Sequence, residues 1–152
     1  MKNKRKKKRM ASEENHSDFK TNWKEEVTQR LQKIFYPSES DEPVEWIEIP
    51  INVPFPLTIS DIRFFWGLLP NAKVEEIPVE NFWTPLLAVE EWYEQEQLEQ
   101  VAQATQLKEI LDAHLPQQQS FRVGETEINL YLIGEFDEKT AGGLKTLLVE
   151  TS

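Results

Sequence analysis

Apolar residues recur at helical spacing from the first aromatic onward: Phe19, Trp23, Val27, Leu31 and Ile34 fall on one face of a helix, and Ser17 or Asp18 offers an N-cap. The pattern predicts a helix that stops at Tyr36-Pro37, because the residue before a proline is driven out of the α region. Ser38 to Pro43 reads as a surface turn. Val44 to Val53 follows as a strand, with Val44, Trp46, Ile47 and Ile49 lining its faces until Pro54 and Pro56 interrupt it. From Leu57 to Leu69 two elements fit: a short helix capped by Ser60-Asp61 and carrying Ile62, Phe65 and Leu69, or a strand through Phe64-Phe65-Trp66. Gly67 and Pro70-Asn71 end it either way.

After a polar turn, Val74 to Ile77 has strand character, and Val79 to Leu87 is a short apolar helix or loop rich in aromatics. A long helix is expected from about Val89 to His114. One line of it holds Leu98, Val101, Thr105, Lys108 and Leu111, with Ala102, Ala104, Leu107, Ile110 and Leu115 beside it, a stripe wide enough to pack on a sheet. Pro116 and a glutamine run stop it. Phe121 to Val123, a Gly124-Glu125 turn and Glu127 to Ile133 form a hairpin pattern, and Leu144 to Glu150 supplies a last strand after a loop from Asp137 to Gly143. Ile128, Leu130, Tyr131, Leu132 and Ile133 make one strand apolar on both faces, which implies a sheet covered on two sides. The expected fold is α+β, a three-layer α/β/α sandwich.

Charge changes the picture of what this fold meets. The chain carries 17 basic and 27 acidic residues, a net −10, yet seven of the basic ones lie between Lys2 and Arg9. Residues 11–152 therefore hold 10 basic against 27 acidic side chains, a net −17. A body of that charge repels nucleic acid and membrane surfaces and attracts a basic partner, although acidity also serves plain solubility. Residues 1–17 combine like charges with polar residues and are expected to be a disordered basic N-terminal tail ahead of one domain, 18–152. The charged start lacks the apolar stretch of a signal peptide, and no segment is apolar enough to span a membrane, so a cytoplasmic protein is expected. With no cysteine, disulfides and thiolate metal sites are excluded.

Catalytic chemistry finds little support. The two histidines are His16, in the tail, and His114, in a helix's last turn, and neither has a nucleophile near it in sequence. The cluster Glu90, Glu91, Glu94, Glu96 and Glu99 suits a solvated face and an acidic helix start. Gly67, Gly124, Gly134, Gly142 and Gly143 do not form a phosphate-cradling loop. The expectation is a protein that is not an enzyme and needs no cofactor.

Several stretches carry a specific likeness: TPLLAVEEWYEQEQ at residues 84–97, FRVGETEINLYLIGEF at 121–136, AGGLKTLLVETS at the end, and the Ser38-Glu39-Ser40 step. Together, from about Glu26 to Thr151, they resemble the nuclease A inhibitor family. The resemblance implies an α/β/α sandwich that blocks a metal-dependent, sugar-nonspecific nuclease. It assigns to Glu39 the role of an acidic side chain that enters the nuclease site in place of the scissile phosphate, and Ser38-Glu39-Ser40 equally suits a plain serine turn. Glu91-Trp92 matches an acidic-Trp contact pair, with Glu where the family has Asp, and a Trp at a helix start is also a common core residue. The family's closing Val-Glu-Thr places a threonine hydroxyl on the metal ion of the nuclease. Here Val149-Glu150-Thr151 is followed by Ser152, so either Thr151 or Ser152, or neither, makes that contact; the inhibitor holds no metal of its own. The implied partner is a protein, the nuclease, and the alternative is a non-inhibitory interaction module that keeps the fold.

Overall fold

The computed structural model describes residues 23–150; the expected tail, Phe19 and its helix cap, and Thr151-Ser152 lie outside the described residues. The first described element, α1, is helical through residues 23–31. It is followed by β1 (Phe35–Tyr36), β2 (Glu42–Pro50), α2 (Ile59–Phe65), β3 (Val74–Ile77), α3 (Val79–Leu87), α4 (Gln95–His114), β4 (Gln119–Val123), β5 (Glu127–Asp137) and β6 (Thr140–Val149). The strands form one antiparallel sheet in the order β1-β2-β6-β5-β4-β3. The mixture of helices with an antiparallel sheet is an α+β fold.

The long β5–β6 hairpin is the centre of the sheet, and its period of two sorts side chains between two clusters. Ile128, Leu130 and Leu132 of β5, with Leu144 and Leu148 of β6, join Trp23, Val27 and Leu31 of α1, Phe82, Trp83 and Leu86 of α3, and Ala104, Leu107 and Leu111 of α4. Tyr131 and Ile133 of β5 join Ile62 of α2 and Ile51, Leu57 and Phe121 in a second cluster. The doubly apolar pattern of β5 thus has its physical cause: each face meets a different core.

Several boundaries differ from the sequence expectation. The first helix does not run to Tyr36. It ends at residue 31, and Phe35–Tyr36 instead pairs with Pro43 and Glu42 as a short edge strand. Tyr36 is buried, and its hydroxyl donates to the carbonyl of Phe82 at 2.6 Å, so the chain leaves the helix to tie the sheet edge to α3. Burial pushes the Tyr36 phenol well above its ordinary range, against a smaller opposing effect of Arg122.

Of the two elements that fit residues 57–69, the helix is the one formed. Thr58 caps it, not Ser60-Asp61: Thr58 Oγ1 accepts from the Asp61 amide at 3.1 Å, and the Asp61 carboxylate accepts from the Thr58 amide at 2.8 Å. That reciprocal pair satisfies two helix-end donors. Ile62 is buried as expected, whereas Leu69 lies past the helix and is exposed.

The long helix begins at Gln95, not Val89. Its buried line is Ala104, Leu107 and Leu111, continued by Leu115, while Leu98 and Thr105 of the first expected line are exposed and Lys108 pairs with Asp112 at 2.7 Å. Gln118 fastens the helix end by donating to the carbonyls of Leu111 and Leu115, each at 3.1 Å. Gln119, the last of the glutamine run, is already in β4 and buried, where its side chain accepts from the Leu57 amide (2.7 Å) and donates to the Leu57 carbonyl (2.8 Å). It meets both backbone groups of Leu57, a residue outside any strand pairing.

The expected loop from Asp137 to Gly143 is a tight hairpin instead, with Asp137 paired to Thr140 and Gly142 and Gly143 inside β6. These glycines stand where a side chain would collide. A Cβ at Gly143 would run into the carbonyl of Leu132, and one at Gly142 would lie about 3.0 Å from Phe136 and 3.1 Å from the Trp46 ring. Close backbone approach therefore explains Gly143, and tight aromatic cover explains Gly142.

Candidate functional site

Ser38, Glu39 and Ser40 connect β1 to β2, and their conformation is fixed from within. Ser38 Oγ donates to the Ser40 carbonyl at 2.6 Å and accepts from the Ser40 amide at 3.3 Å, a serine turn that points the chain back. The turn is also tied to the far end of the sequence. The Glu39 amide donates to the Val149 carbonyl at 3.4 Å, and the Val149 amide donates to Ser38 Oγ at 3.4 Å. Glu39 itself is exposed.

The end of β6 is held on its other side as well. The Glu150 amide donates to the Thr126 carbonyl at 2.9 Å, and the Glu150 carboxylate accepts from Arg122 Nη2 at 2.9 Å. Arg122 Nε lies 3.4 Å from the Glu75 carboxylate, so one guanidinium bridges β3 and the residue after β6. Around these groups runs a concavity of about 490 Å³ lined by Pro37, Ser38, Glu39, Asn81, Arg122 and Glu150, among others.

Glu91-Trp92 does not start a helix; it sits in the turn joining α3 to α4, where the Tyr93 amide donates to the Glu90 carbonyl at 3.1 Å. The cause is visible at both sides: α3 ends at Leu87, and α4 starts only after Glu94, whose amide donates to Gln97 Oε1 at 3.0 Å. The turn puts Trp92 outside the core, 67% exposed, with its ring edge-on to Tyr93 at 4.7 Å between centroids. Glu91 is exposed beside it.

Trp92 lines a second concavity, about 410 Å³, together with Phe35, Pro37, Asp41, Tyr93 and Glu96. This one and the groove at Glu39 share Pro37 and Pro85 in their walls. The structure therefore brings the Glu39 turn, Trp92 and the end of β6 to adjoining hollows. Thr151 and Ser152 follow that strand but lie outside the described residues. Phe35 (47% exposed), Asp41 and Arg122 belong to the same region and were not singled out by sequence. Phe35 was hidden by its fit to the helical stripe, since both Ile34 and Phe35 lie in phase with Leu31.

Among the described residues, no group of three or more His, Cys, Asp or Glu side chains has a metal-holding arrangement. Among the described residues, no helix is long and apolar enough to cross a membrane. His114 packs its ring flat against Trp23 at 5.2 Å, a contact that fastens α4 to α1.

What these features describe is a candidate binding surface of exposed carboxylates and exposed aromatics, at a sheet end and a helix connection. The family match agrees with that class: the model of the family described as "Nuclease A inhibitor-like protein" matches residues 21–151, and the chain belongs to this family. No curated protein matches the chain closely enough to add a named relative.

Proposed function

We propose that this protein inhibits a metal-dependent endonuclease that cuts DNA and RNA without sugar specificity, by occupying its active-site cleft. Family membership supports the inhibitor role. The observation that carries the mechanism is the placement of the exposed Glu39 and Trp92 on hollows that share Pro37 and Pro85, with Val149 bonded to the Glu39 turn. In the proposed complex the Glu39 carboxylate takes the position of the scissile phosphate, where a site arranged for one negative charge receives it without a leaving group to lose. Trp92 fills a desolvated pocket on the nuclease, Glu91 meets a cation beside it, and a hydroxyl of Thr151 or Ser152 approaches the metal ion of the nuclease. The chain acts as a stoichiometric binder and not as an enzyme, in the cytoplasm, with its two clusters as the two interlayer cores of a three-layer α/β/α sandwich.

Glu39→Gln tests this reading because it keeps the shape of the side chain and removes its charge. Inhibition of a family-type nuclease should fall sharply while the thermal midpoint moves little, as exposed turn substitutions change stability within ~0.5 kcal/mol. A Glu39→Gln protein that inhibits like the parent would overturn the phosphate-mimic mechanism, and a parent chain that inhibits no such nuclease would leave a non-inhibitory interaction module as the account of the fold.

A further inference from the structure

We propose that the Ser38 hydroxyl is a positioning residue of the inhibitory surface, a latch that locks the Glu39 turn onto the last residue of β6 so that both meet the nuclease as one preorganised element. This rests on the inhibitor reading above and adds to it the residue that fixes its geometry.

Ser38 and Val149 are 111 positions apart, and β1 is only two residues long, so sheet pairing along β1 holds this turn weakly. The hydroxyl supplies what the short strand lacks. It accepts two amides, from Ser40 within the turn and from Val149 outside it, and donates to the Ser40 carbonyl. One oxygen therefore sets the turn's conformation and its anchor point together. The Glu39 amide closes the second half of the bridge on the Val149 carbonyl, which fixes the backbone that carries the exposed Glu39. Past Val149, the Arg122–Glu150 pair and the Thr126 carbonyl hold the next residue.

A carboxylate that replaces a phosphate must sit within a fraction of an ångström of its productive position, and ordering it on binding costs affinity. Ser40 is the built-in contrast: its hydroxyl is buried and makes no hydrogen bond, so the second serine of the turn does not serve as a latch.

The test compares Ser38→Ala, Ser38→Thr and Ser40→Ala in the full chain, by stopped-flow and dissociation kinetics with a nuclease that the parent inhibits, and by hydrogen exchange at the Val149 amide. Loss of the latch should raise the dissociation rate about tenfold with little change in association, because one hydrogen bond of ordering is worth about that factor. Exchange at the Val149 amide should quicken in the free protein. Ser38→Thr should restore both readouts, and Ser40→Ala should leave both as in the parent. The coupling is decisive: in the Ser38→Ala background, Glu39→Gln should cost much less than it does alone. If Ser38→Ala binds like the parent, or if the two substitutions add independently, the latch is overturned while the inhibitor reading stands. If the parent inhibits no nuclease, the inhibitor reading falls and the latch with it.

Discussion

Two tryptophans show how much a single side chain's surroundings decide. Trp83 is fully buried in α3 at 1% exposure, whereas Trp92, nine positions later, is 67% exposed on the connection to α4. Truncating Trp83 should cost ~3–5 kcal/mol of folding stability by opening a core cavity. Trp92→Ala should instead leave the unfolding curve within ~0.5 kcal/mol of the parent, and weaken nuclease binding by ~2 kcal/mol if it fills a desolvated pocket at the interface. A denaturation curve and a nuclease titration on the same Trp92→Ala preparation check both halves, and early melting with unchanged inhibition would remove Trp92 from the contact surface. Nothing local in the sequence separates these two side chains. Both stand in aromatic-rich stretches with acids nearby, and the difference arises because α3 stops at Leu87 and α4 starts only at Gln95. Glu39 became a candidate only through the family resemblance of its Ser-Glu-Ser step, and its bond to Val149 was not legible, since periodicity carries no information about a partner more than a hundred positions away.

Among the elements, those with a strong period were the legible ones. The α1 stripe of Trp23, Val27 and Leu31 is core, and β5 lies where its apolar run placed it. Elements set by non-local contact were not: the glycines of β6 read as loop because the rings of Phe136 and Trp46, which cover Gly142, come from other strands. The start of α4 was misplaced because an acidic stretch suits both a helix's first turn and an exposed connection. How α1 is fastened to the sheet gives a pH prediction. Lys24 pairs with the Glu48 carboxylate, which also accepts from Trp46 Nε1 at 2.7 Å. Burial acts to raise the Glu48 pKa, but the Lys24 and Trp46 hydrogen bonds outweigh it and hold the carboxyl below its ordinary 4.5. A depressed folded-state pKa stabilises the fold above the unfolded value, and that contribution is lost as pH falls through the folded one. Glu48→Gln should therefore be less stable than the parent near neutrality, by ~0.5 kcal/mol given how exposed the pair is, and the two proteins should converge well below pH 4.5. Denaturant melts from pH 7 down to strongly acid solution would show a gap that closes on acidification; a constant gap would mean that Glu48 acts through packing alone.

At the scale of the whole molecule, charge and surface shape act together on association. The net −17 of residues 11–152 is carried by a body whose hollows at Glu39 and Trp92 are lined by Asp41, Glu96 and Glu150 as well. The surface proposed to meet a nuclease is thus acidic in its own lining and not merely on a remote face. A nuclease cleft built to hold a phosphate backbone is basic, so encounter should be steered, and steering acts on the association rate far more than on dissociation. Salt discriminates between the two because the screening length falls from about 10 Å at 0.1 M to about 3 Å at 1 M, which removes long-range attraction while leaving close, partly desolvated contacts. The expected result is an association rate that drops by one to two orders of magnitude, roughly, across that range with a dissociation rate changed by only a fewfold. The seven basic residues between Lys2 and Arg9 sharpen the test, since they offset part of the body's field. Replacing them with serine and glutamine should accelerate association at low salt and have no effect at high salt. An association rate indifferent to salt, or slowed by neutralising that segment, would place the recognition in shape and hydrogen bonding rather than in the field of an acidic body.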